Sequence, residues 1–169
     1  MESTIKLYSL KAVESKTYAY AFLFIAGNLV LPHLCHLLPL GGQMLLPIYF
    51  FTLIAAYKYG FFTGLITAVA SPLVNHALFG MPATEMLTII LIKSALLAVA
   101  ASYMAQRTKE IKIQSLLLVI VFYQGIGMIA EFMLTGSFMA AMQDIRLGMP
   151  GIALQLVGGY FCLKALKNV

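Results

Sequence analysis

Six apolar runs, near 17–38, 43–58, 60–79, 84–105, 112–135 and 149–166, fill most of this 169-residue chain. A helix needs about 20 apolar residues to cross a hydrocarbon core of roughly 30 Å, and the runs approach that length. None shows the ten-residue alternation of a membrane β-barrel. In lipid every backbone polar group must be satisfied within the segment, so such runs form helices. The composition agrees: 62% of residues are apolar, 10% are charged and the mean hydropathy is +0.93, far from a soluble domain with about a quarter charged. The expected fold class is an all-α integral membrane protein, one domain over 1–169, built as a six-transmembrane-helix bundle.

Breaks at "PHLCHLLPLGG", "YKYG", "FGMPATE", "QRTKEIK" and "TGSF…RLGMPG" separate the runs. Almost nothing separates the second run from the third, which predicts a tight hairpin at Gly60. Basic residues collect in cytoplasmic loops. With the N-terminus inside, Lys6, Lys11, Lys16, Lys58, Arg107, Lys109, Lys112, Lys164 and Lys167 fall on one side and Arg146 alone on the other. Both termini are therefore expected in the cytoplasm, the protein in the cell (inner or cytoplasmic) membrane, and the first helix retained. The formal net charge of +5 sits between apolar runs and not on a solvated face with interleaved aromatics, which argues against nucleic acid.

Polar side chains within hydrocarbon cost about 2.5–3.5 kcal/mol each when charged and central, so each is a functional candidate. Lys93 lies about nine residues into the fourth helix, roughly 14 Å deep at 1.5 Å per residue. Gln124 reaches the same depth on the fifth helix, and Glu131 sits a turn below the outer surface. Gln155 and Tyr160 come from the sixth, Asn75 and His76 from the outer end of the third, and His36 and Gln43 from the first outer loop. These nine form the candidate ligand-binding set. Lys93 and Glu131 are also within reach of each other as a buried ion pair, and both readings stay open. In "HLCH" a helix would put His33 and His36 on one face and Cys35 elsewhere, short of the three ligands a metal needs. Cys35 and Cys162 lie at different depths, which argues against a disulfide; no metal or cofactor is expected.

Small residues four apart let helices approach closely. Thr17 with Ala21, Ala56 with Gly60, Gly64 with Ala68, Ser94 with Ala98 and Ser102, and Ala101 with Ala105 qualify. Thr17, Ala21, Gly60 and Gly64 are the candidates for contact with a partner protein.

The segment from His36 to Pro82 carries an ordered series: His36, Gly41 and Gly42, "LPIY" at Leu46–Tyr49, Gly60 and Gly64, and "SPLVNHALFGMP" at Ser71–Pro82. In this it resembles the substrate-binding S component of energy-coupling-factor (ECF) vitamin transporters. It departs from that pattern at Tyr49, where a histidine is usual, at Lys93, where a carboxylate is expected, at Ala98 for a glycine, and at Thr17, where one of a pair of alanines is expected. The resemblance implies a six-helix bundle with an outward-opening pocket that captures a water-soluble vitamin or cofactor precursor. It further implies recruitment of a transmembrane subunit and two ATPase subunits. The chain has no GxxxxGK[ST] phosphate loop of its own. Pantothenate, folate, a pyrimidine, a corrin or a nicotinate would fit such a family, and a central lysine favours a carboxylate-bearing compound. The competing readings are a stand-alone small-solute or metal-ion permease, an intramembrane enzyme, for which no GxSxG or HExxH is present, and a scaffold. The chain is expected not to be an enzyme.

Overall fold

A computed structural model describes residues 7–37 and 39–166, and every regular element among them is helical. In chain order these are α1 (Ser15–Cys35), α2 (Gly41–Leu45), α3 (Ile48–Tyr59), α4 (Phe61–Phe79), α5 (Thr84–Thr108), α6 (Ile113–Thr135), α7 (Phe138–Ala141), α8 (Gln143–Arg146), α9 (Met149–Ala153), a π-helical turn (Leu154–Gly158) and α10 (Gly159–Ala165). Four of them, α1, α4, α5 and α6, are long and apolar enough to cross a membrane.

The second expected helix is broken. Leu46 adopts φ 45°, ψ 47°, in the left-handed region, and separates α2 from α3, and Pro47, which has no N–H, cannot donate the bond that would carry a helix across this point. What remains as α3 has twelve residues, about 18 Å at 1.5 Å per residue, and most of them are buried. A helix apolar on all sides belongs at the centre of a bundle, and α3 packs against α1, α4, α5 and α10. Around its Leu53 and Ile54 the core gathers Leu97, Ala98, Leu116, Ile120, Tyr123 and Leu163, all fully buried.

The turn from α3 to α4 is a single residue. Gly60 has φ +95°, ψ −179°, a conformation open chiefly to glycine. Four residues on, a Cβ at Gly64 would stand 2.4 Å from Ala56 Cβ, so the two helix backbones touch there. Thr17 and Ala21 lie on the inward stripe of α1 with Phe24, Asn28, Pro32 and Cys35. The outward stripe carries Tyr18, Phe22, Leu23, Val30 and Leu34. The four residues expected to meet a partner thus pack inside this chain: Thr17 and Ala21 are buried and Thr17 Oγ1 donates to Lys11 O at 2.6 Å. Gly60 lies under Tyr8 and Ser9, and Gly64 under Ala56. Small residues mark close approach, and here the approaching surface is the chain's own.

Polar side chains tie α1, α3 and α4 together. Asn28 Nδ2 donates to Thr52 Oγ1 and to Ser71 Oγ, each at 3.1 Å, and Asn75 Nδ2 donates to Asn28 O at 2.9 Å. All four residues are buried. In a low-dielectric interior such bonds specify which faces meet.

Candidate binding site

At the end of the bundle where α1, α4 and α6 finish and α5 begins, the side chains leave a cavity of about 230 Å³. The Leu46–Pro47 bend forms part of its wall, so the break in the second helix turns α2 across the opening. Gly151 allows this: a Cβ there would lie 2.5 Å from the backbone of Leu45, so α2 rests directly on α9.

Lys93 is the central polar group. It is 2% exposed, its Nζ lies 2.5 Å from Glu131 Oε2 on α6 and 2.8 Å from Asp144 Oδ2 on α8, and all three residues line the cavity. The two readings of Lys93 are therefore not exclusive, since the paired ammonium is also part of the wall. Its side chain reaches Glu131 by passing over Gly127, one turn earlier on α6, where a Cβ would come within 2.6 Å of Lys93 Cγ. A buried ion pair needs such geometry to offset the loss of hydration. With two carboxylates on one ammonium the group is formally anionic. The positive charge expected to meet a carboxylate-bearing ligand is already engaged, which removes the argument for that ligand class.

His36, Gln43 and Asn75 also line the cavity. The His36 ring occupies space that a side chain at Gly42 would fill, since a Cβ there would lie 2.7 Å from His36 Cε1. The "HLCH" segment divides as a helix end does. His33 turns back to its own helix, Nδ1 2.8 Å from Leu29 O, with its ring edge-on to Phe79, while His36 reaches the cavity. Among the described residues no three of His, Cys, Asp and Glu gather as metal ligands.

Four expected site residues lie elsewhere. His76 braces the α4–α5 turn, its Nδ1 2.7 Å from Pro82 O. Gln124 and Gln155 are taken by Tyr123, whose hydroxyl donates to Gln155 Oε1 at 2.8 Å and accepts from Gln124 Nε2 at 3.1 Å. The π-helical turn carries Gln155 into the interior, where it is fully buried. Tyr160 packs beside the core under Lys164, whose Nζ stands 5.6 Å from its ring centre. Depth along a helix put these groups near the site, but their direction around the helix takes them away from it.

The structure adds residues that sequence reasoning missed. Asp144 lies on the short helix α8, between α7 and α9, where depth cannot be counted along a long helix. Tyr49 lines the cavity and leans on Tyr123 at 5.5 Å between ring centres, so the cavity wall touches the Gln124–Tyr123–Gln155 network through two rings.

A second cavity of about 350 Å³ lies at the opposite end, among Leu7–Ser9, Ala56, Tyr57, Gly60, Ser102, Ala105, Gln106 and Lys109. The two share no lining residue, and fully buried Leu53, Ile54, Leu97 and Ala98 belong to the core of the same helices. Comparison with protein families, with curated proteins and with solved structures finds no match.

Proposed function

We propose that this chain is a membrane-embedded, high-affinity binding subunit for uptake of a small water-soluble solute, of the kind the ECF S components represent, and not an enzyme. In this reading six helical segments cross the cell membrane, with α2 and α3 together as the second and α9 to α10 as the last. Both termini face the cytoplasm, and the cavity opens outward. A separate transmembrane subunit and two ATPase subunits supply energy. Docking then uses a surface other than Thr17, Ala21, Gly60 and Gly64, which are spent on internal packing.

The observation that carries the reading is a cavity at one end, lined by polar groups from α2, α4, α5, α6 and α8. Pockets of this form, apolar with a few convergent polar groups, are the usual setting for small-molecule binding. At about 230 Å³ it lies below the roughly 300–1,000 Å³ of drug-sized sites, which suits a small metabolite.

A stand-alone permease is the second reading, favoured by one feature. Thr63, Thr67, Ser71 and Asn75 recur every four residues along α4 and are all buried, a polar seam running from the first cavity toward the second. Native mass spectrometry of the purified protein tests the first reading, which expects a retained small molecule. Vesicles holding this chain alone test the second. Uptake of solute without an ATPase module would overturn the binding-subunit proposal.

A further inference from the structure

The cavity combines an apolar wall with a buried charged cluster.

The charges narrow the choice. The charged side chains of the wall are Lys93, Glu131 and Asp144, and the other titratable groups there are His36 and Tyr49. Lys93 Nζ engages one oxygen of each carboxylate. An anionic occupant would enter beside two carboxylates with the ammonium already engaged. A cationic occupant meets the surplus negative charge, and in a site of low dielectric that difference is large. The rest of the wall excludes two kinds of cation. A metal ion lacks its ligand set, and the wall includes Met81, Met86, Ile89 and Ile90, which suit a carbon skeleton. A quaternary ammonium is held by a cage of aromatic faces, and among the described residues Tyr49 is the one Phe, Tyr or Trp lining this cavity. It also has no hydrogen to donate to a carboxylate oxygen.

We infer that the cavity takes a small organic cation bearing N–H groups, an ammonium or amidinium, with its charge and its N–H groups set against the carboxylates of Glu131 and Asp144. This rests on the solute-binding reading above. The volume, about 230 Å³, is roughly eight times the share of one liquid water, so the skeleton is a short branched chain or a single ring.

The test is thermal unfolding and calorimetry of the purified full chain with matched probes of one skeleton: benzylamine, benzamidine, benzyltrimethylammonium, benzyl alcohol and benzoate. The amine and amidine are expected to bind at least about tenfold tighter than the other three. Asp144→Asn is expected to lose about tenfold in amine affinity. Asp144 is one-sixth exposed on a short outer helix, so the variant folds. Wild-type amine affinity in Asp144→Asn, or equal binding of the trimethylammonium probe, would overturn the assignment. Preference for benzoate would overturn it and leave the solute-binding reading standing, as would a retained molecule in native mass spectrometry that carries no cationic nitrogen. A protein that binds no probe and retains no molecule removes both.

Discussion

Replacing Lys93 with methionine keeps the length and apolar body of the side chain and deletes its charge. Lys93 is 2% exposed, and its Nζ satisfies carboxylate oxygens at 2.5 Å and 2.8 Å. The variant leaves Glu131 and Asp144 facing each other across the site with no cation between them. Removing one partner of a buried pair costs about 3–5 kcal/mol, because the charge left behind has no compensation. For a chain of this size each kcal/mol lowers the unfolding midpoint by about 2–4 °C, so Lys93→Met is expected to unfold roughly 6–20 °C below the parent. The triple variant Lys93→Met, Glu131→Gln, Asp144→Asn removes all the charge and recovers most of that loss. Differential scanning fluorimetry in one detergent, with the single and double variants completing the cycle, isolates the coupling. A Lys93→Met midpoint within about 2 °C of the parent would refute the buried triad, and with it the charge argument for the cavity.

Gly127→Ala places a Cβ 2.6 Å from Lys93 Cγ and is expected to cost about 1–3 kcal/mol as overpacking; rescue by Lys93→Met in the same unfolding assay would confirm that the lysine stem is what it strikes. Gly64→Leu drives α4 off Ala56, so it should lower the midpoint by at least a comparable amount, and full stability with loss of a co-purifying partner would contradict internal packing. Tyr123→Phe strips the hydroxyl shared by Gln124 and Gln155, costing about 1–3 kcal/mol with ligand affinity unchanged; a tenfold loss of affinity by calorimetry would put that network in the site.

The axial arrangement was legible from residue spacing, and the radial arrangement was not. Helix ends follow from Gly and Pro, and Lys93 and Glu131 could be matched in depth because the rise per residue is constant. His36, Gln43 and Asn75 meet them in the cavity for the same reason. Direction around a helix is read from the contrast between polar and apolar faces, and α6 offers little: outward Leu118, Val121 and Ile129 are as apolar as inward Leu116, Val119 and Ile120. Gln124 was therefore placed at the right height and aimed at the wrong neighbour. Gln155, expected in the site, turns away for another reason, since it lies within a π-helical turn that departs from the regular helical register. Thr17, Ala21 and Gly64 were recognised as contact points, but a small side chain does not say whose backbone it meets. Asp144 belongs to no long periodic segment, so no rule of spacing reached it.

The shortness of α3 bears on how the chain is assembled. Twelve residues rising about 18 Å cannot bridge a hydrocarbon layer of about 30 Å unaided, and α3 leaves the ribosome before α4 and α5, two of the helices that surround it. Its place is settled only once those later segments arrive, so membrane integration of this region is a collective event, with the Gly60 joint carrying α3 in alongside α4.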